Sequence, residues 1–169
     1  MIRLYHGTNT LFDAPDLALC QPYKDFGRGF YLTPDLAVAR RMAERSVARS
    51  LWQGGPQYVL TYLFDETRIS ELNVRRFDNP INEEFARFVM ANRMFRTQVA
   101  DHNRDNRYDL VIGPIADDRM GVLFRRFEAG LVTVEKLIEE LKFKRVAMQY
   151  SFHTAKGLGL LAFKEAKRV

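Results

Sequence analysis

The hydrophobic positions of this chain recur with two periods, and the changes of period mark its elements. Ile2 to Tyr5 is apolar apart from Arg3 and runs into the polar turn His6-Gly7-Thr8-Asn9-Thr10, which predicts a buried first strand ending at His6. Residues 11 to 24 show no period and contain Pro15 and Pro22, so they read as a loop or a short helix, either a cover beside a ligand site or a tolerated surface loop. In Asp25-Phe26-Gly27-Arg28-Gly29-Phe30-Tyr31-Leu32-Thr33 two closely spaced glycines precede a short strand. Strand parity turns Phe30 and Leu32 to one face and Gly29, Tyr31 and Thr33 to the other, a ring and a hydroxyl over a glycine floor.

Beyond Thr33 the period becomes helical. Leu36, Ala39, Ala43, Val47 and Leu51 predict a helix started by Pro34 and Asp35 and ending near Trp52 and Gly54-Gly55. Gln57 to Phe64 is apolar on both faces and reads as a central strand, Asp65 to Thr67 as a turn, and Arg68 to Val74 as a weaker extended segment. A second amphipathic helix follows Asn82, residues 97 to 107 read as a polar loop, and Tyr108 to Ala116 as a buried strand. Helices are expected from Met120 to Phe127 and after Thr133. Arg145 to Thr154 alternates most clearly, with Val146, Met148, Tyr150 and Phe152 on one face. Its other face carries Ala147, Gln149, Ser151 and His153, so that face is expected to border a cleft or solvent. Residues 155 to 169 fit a helix or a strand.

Composition narrows the class. A length of 169 residues, 47% hydrophobic and 28% charged, suits one soluble domain, 1–169, without an internal repeat or linker. No stretch approaches the roughly 20 apolar residues of a membrane span, and no signal pattern opens the chain, which makes the cytoplasm the expected compartment. Cys20 is the single cysteine, which excludes an internal disulfide or a thiolate metal cluster. The net charge of +5 suits a phosphate-bearing ligand, an acidic partner or nucleic acid, or simply solvated helix faces.

Several chemistries are excluded by pattern. There is no Walker-type loop, Gly27-Arg28-Gly29 lacks the third glycine of a dinucleotide fingerprint, and neither a His-Glu-x-x-His helix nor a Gly-x-Ser-x-Gly elbow occurs. Asp117-Asp118 at a strand end reads either as a helix cap or as an acid–base or metal pair. What remains is three strands with polar faces, one ending in His6-Gly7, one carrying Tyr31 and one carrying Gln149.

These residues carry a resemblance. Tyr5-His6-Gly7-Thr8 and Gly27-Arg28-Gly29-Phe30-Tyr31-Leu32-Thr33 resemble the first two parts of the His-Tyr-Glu signature of the diphtheria-toxin and poly(ADP-ribose) polymerase branch of ADP-ribosyltransferases. With Tyr108 to Asp118 and Gln149 to Thr154 in the same order, the chain more closely resembles the bacterial family DUF3990, regarded as ADP-ribosyltransferase-like and often toxin-associated. The resemblance implies an α+β fold of two small, mostly antiparallel sheets with flanking helices around an NAD cleft. It implies that His6 hydrogen-bonds the nicotinamide ribose, that the Gly7 backbone pairs with the nicotinamide amide, and that Tyr31 stacks on the ring. Thr8, Gly29 and Thr33 complete the expected NAD contacts. Where the signature has glutamate this chain has Gln149, which accepts a hydrogen bond but brings no charge. Asp25, Asp117 and Asp118 are candidates to supply that charge.

The expected function is NAD-dependent transfer of ADP-ribose to a macromolecule, without a metal, by a toxin or effector restrained by an antitoxin or inhibitor protein. NAD hydrolysis is the neighbouring reaction. The alternative from another class is a module that binds NAD, nucleotides or nucleic acid without chemistry.

Overall fold

The computed structural model describes residues 1–48, 55–78, 81–93, 100–116, 118–142 and 147–169. The architecture is α+β, built on two small sheets. The first has the order β1-β3-β7, from β1 (Ile2–Thr8), β3 (Tyr58–Phe64) and β7 (Leu161–Arg168), all antiparallel. The second has the order β2-β6-β5-β4, from β2 (Phe30–Leu32), β6 (Met148–Phe152), β5 (Leu110–Pro114) and β4 (Val74–Arg76). Only β4 and β5 run parallel.

Burial follows the sequence pattern. Leu4, Phe30, Leu32, Leu60, Tyr62, Phe64, Leu110, Ile112 and Phe152 fill the core between the sheets. β5 is buried along its whole length because its other face meets a helical layer, α2 (Glu83–Arg93) and α3 (Asp118–Glu128), through Phe26, Phe85, Phe88, Val111 and Phe124. Each such aromatic ring taken from water contributes about 2 to 3 kcal/mol. Thr133 caps α4 (Val134–Lys142) through a bond from the Lys136 amide, 3.3 Å.

The helix α1 (Leu36–Ala48) packs on the outer face of the first sheet. Asp35 starts it by accepting the amides of Ala37 and Val38, at 2.8 and 3.2 Å. It buries Val38, Ala39, Ala43 and Val47; of the expected stripe Ala39, Ala43 and Val47 are buried, Leu36 is exposed with Val38 buried in its place, and Leu51 lies outside the described residues. The expected end of that helix, near Trp52, lies outside the described residues.

Three local expectations are corrected. Arg68 to Val74 is not extended: Glu66–Glu71 forms a 3-10 turn, because Asp65 folds back to accept the Thr67 amide at 3.3 Å, and β4 starts only at Val74. Residues 155 to 169 are both helix and strand, α5 (Ala155–Leu158) followed by β7, divided at Gly159. The polar face of β6 does not border solvent, since Gln149 is 7%, Ser151 0% and His153 2% exposed. It is covered by the segment Asp25 to Arg28.

Candidate active site

The two sheets meet at their edge strands. One antiparallel bridge joins β1 to β2, in which Tyr5 and Thr33 exchange amide–carbonyl bonds of 2.8 and 2.9 Å. Had the ladder continued, Gly7 would face Tyr31 and exchange two more. Instead the strands part there. The His6 imidazole takes the Tyr31 carbonyl, Nδ1 to O 2.8 Å. Because residues two apart on a strand point their backbone groups the same way, the N–H and C=O of Gly7 and the N–H of Tyr31 face this opening, and none has a partner among the described residues.

His6 is held in one tautomer. A carbonyl can only accept, so Nδ1 carries the proton and Nε2 presents a lone pair without a protein partner among the described residues. Desolvation lowers its pKa, which keeps the ring neutral and the lone pair free at neutral pH. Phe12, from the aperiodic loop, and Phe30 hold the ring, with centroids 5.8 and 4.7 Å away. That loop is fastened in turn. Arg28 donates to the carbonyls of Ala18 and Cys20, each at 2.9 Å, and Tyr62 to that of Asp13 at 3.0 Å. Its contact with His6 is made by Phe12.

Tyr31 and His6 meet only through the Tyr31 backbone. The Tyr31 ring points to the opposite face of the second sheet, where Ser151 is its cross-strand partner. Its hydroxyl donates to Gly27 O at 2.7 Å and accepts from Phe26 N at 2.9 Å, and its ring stacks on Phe26 at 6.2 Å. Burial and the nearby Asp25 carboxylate raise its pKa, so it stays a phenol. Tyr31 therefore clamps the segment that precedes it.

Gln149 lies on this same face, held by Asp25. Its Nε2 donates to Asp25 Oδ2 at 2.9 Å and to Pro114 O at 3.1 Å. Both partners are acceptors, which fixes the amide orientation and leaves Oε1 as the acceptor offered elsewhere. Asp25 is saturated: Arg93 Nε and Nη2 reach Oδ1 at 2.9 and 2.5 Å, and the Ala116 amide reaches Oδ2 at 3.1 Å. The carboxylate nearest Gln149 is thus already offset by a guanidinium. Asp117 lies outside the described residues, and of Asp118 only its backbone, at the start of α3, is described.

His153 is the residue that sequence reasoning passed over. Its ring is the one that the glycine floor receives: a Cβ on Gly29 would come within 2.6 Å of Nδ1. That nitrogen donates to Arg28 O at 2.7 Å, leaving Nε2 buried without a partner, as is Ser151 Oγ. The hydroxyls of Thr8 and Thr33 serve local structure, accepting the Thr10 amide and donating to Met148 O. Parity in β6 placed His153 beside Gln149 and Ser151, but no local signal marked its burial.

Burial pushes the His153 pKa down to about 4. The unfolded chain then binds more protons than the folded one between its ordinary value of about 6.5 and 4, so stability falls as pH drops through that window. The expected loss is about 3 kcal/mol from this group. Urea unfolding at stepped pH checks it. The slope between pH 6.5 and 4 should flatten by that amount in His153→Gln, and an unchanged slope would refute the assignment.

A model of the family DUF3990, described as protein of unknown function, matches residues 2–163. This chain belongs to the DUF3990 family. No curated protein and no solved structure matches it. The DUF3990 match spans β1 to the start of β7 and so covers both edges of the opening at Gly7. Among the described residues of this DUF3990 chain, no helix is long and apolar enough to cross a membrane, and no three His, Cys, Asp or Glu side chains gather as a metal site.

Proposed function

We propose that this protein is an ADP-ribosyltransferase of the His-Tyr-Glu type that transfers ADP-ribose from NAD to a macromolecular acceptor. The observation that carries the reading is the opening at the β1–β2 seam, where the backbone of Gly7 and the Nε2 lone pair of His6 stand unpaired side by side. An amide such as that of nicotinamide needs one donor and one acceptor, which the Gly7 N–H and C=O supply together. A ribose hydroxyl needs an acceptor, which His6 Nε2 supplies. NAD brings a labile bond between ribose and nicotinamide, whose cleavage releases neutral nicotinamide and joins ADP-ribose to an acceptor nucleophile that gives up its proton. The chain's residues contribute orientation and exclusion of water, Phe12 packing against His6. The acceptor and an antitoxin or inhibitor partner rest on the family resemblance alone.

A second reading has its own support. Gln149 is uncharged and Asp25 behind it is neutralised by Arg93, which favours a module that binds NAD with weak chemistry or none. The two readings part on one assay. Incubation with labelled NAD and lysate should leave label on a macromolecule. Free ADP-ribose with nicotinamide would make the protein a hydrolase, and intact bound NAD would make it the module. His6→Ala should weaken NAD binding about tenfold or more in protein that still unfolds cooperatively, with a lower melting temperature because the Tyr31 carbonyl loses its partner. Equal affinity would remove His6 from the site.

Introducing the signature glutamate alone should not raise activity. Gln149→Glu sets a second carboxylate against Asp25 in place of a donor, with an expected stability loss of about 2 kcal/mol or more. The exchanged pair Asp25→Asn with Gln149→Glu returns a donor to that contact and should melt above the single variant. Nicotinamide release by the pair, measured against the wild type, then reports whether charge at this point limits the chemistry.

A further inference from the structure

The face of the first sheet that carries α1, opposite the one bearing His6, holds a cavity of about 220 Å³ between β1, β3, β7 and α1. Tyr5, Thr61 and Glu165 stand in register across the three strands at this cavity, and Arg3, Arg40 and Lys167 line it from three different elements. Thr61 is 4% exposed and lines the cavity from the middle strand. Glu165 is engaged by Lys167 at 3.3 Å, while Arg3 and Arg40 enter no ion pair among the described residues. Two guanidiniums without an ion-pair partner among the described residues thus share a concave site with a lysine and a threonine hydroxyl.

We propose that this cavity is an anion site that takes a phosphoryl group, separate from the opening at Gly7. Its side chains offer donors in excess. Guanidinium forks match the oxygens of phosphate, and a hydroxyl supplies a further donor from the floor. The volume falls below the roughly 300 to 1,000 Å³ of pockets that enclose whole organic ligands, so the site takes free phosphate or a small phosphate monoester rather than a dinucleotide. Because Tyr5 and His6 point to opposite faces of β1, an occupant here and a ligand at the seam do not compete.

The experiment is an amide NMR titration of the full chain with inorganic phosphate against potassium chloride at matched ionic strength. Saturable shifts at Arg3, Thr61 and Lys167 with phosphate and not with chloride are expected. The double variant Arg3→Gln with Arg40→Gln should bind about tenfold or more weakly, as for lost charge-assisted bonds. Both arginines are exposed, so the variant should keep its melting temperature. Linear shifts without saturation, equal shifts in chloride, or an unchanged affinity in the double variant would each overturn the site. Glycerol 3-phosphate run in parallel separates the sources. Affinity equal to that of phosphate identifies the free anion, and tighter binding identifies a monoester.

Discussion

Asp25→Ala should lower stability by about 3 kcal/mol, which for a chain of this size is a fall of about 6 to 12 °C in melting temperature. Asp25 accepts four hydrogen bonds from three separate parts of the chain, two from Arg93 and one each from the Ala116 amide and Gln149. Its side chain is 11% and that of Arg93 25% exposed, so the loss falls at the lower end of the range for a buried pair whose partner is left behind. The cost lies in what remains: an Arg93 guanidinium without its anion, and an amide and a Gln149 donor without acceptors. Replacing both charges, as in Asp25→Ala with Arg93→Met, should therefore recover a substantial part of the loss. Calorimetric melts of the two single variants and the double check this, and full additivity would show that the pair is not coupled.

Gly7→Ala should be at least as damaging, about 3 kcal/mol or more, with loss of soluble protein as the extreme outcome. A Cβ at Gly7 would sit 1.9 Å from the carbonyl oxygen of Ala39 and 2.6 Å from the amide nitrogen of Ala43. Both are backbone atoms of α1, so no rotamer change and no side-chain substitution in the helix relieves the contact. The helix must lift from the sheet, uncovering Val38, Ala39, Ala43 and Val47. Soluble yield and melting temperature measure this, and a variant that melts like the wild type would show that α1 sits further from β1. Such a variant says nothing about the hydrogen bonds that Gly7 offers at the seam, which is why His6→Ala carries the test of binding.

The elements were largely legible because period and burial agree along most of the chain. β3 was expected to be central from its two apolar faces, and it lies between β1 and β7. Parity grouped Tyr31 with Gly29 and Thr33 on one strand and Gln149 with Ser151 on another, and the register brings the two faces together by pairing Tyr31 with Ser151. The turn over Glu66–Glu71 was missed because Ile69 and Leu72 mimic a strand, while the side chain of Asp65 decides the local geometry. The polar cluster was legible only in part: Asp25 was one of three aspartates expected to serve Gln149 and does contact it, but Arg93 was not foreseen. Asp25, Arg93 and Gln149 are joined across separations of 68 and 124 residues, and nothing near Asp25 or Gln149 announces Arg93. Burial of the polar face of β6 has the same origin, since it depends on Phe26 and its neighbours folding over a strand far away in the chain.

The place of β6 in the second sheet also governs when the site can exist. β6 lies between β2 and β5, so Phe30–Leu32 has no partner on that side until residues 148 to 152 have been synthesised. The same stretch delivers Gln149 and Ser151, with His153 just after it, and β7 closes the second edge of β3 later still. Strand pairs so distant in sequence assemble slowly and only after much of the chain is present. On the ribosome, His6 and Tyr31 emerge more than a hundred residues ahead of the strand that holds their neighbourhood together, and wait for it.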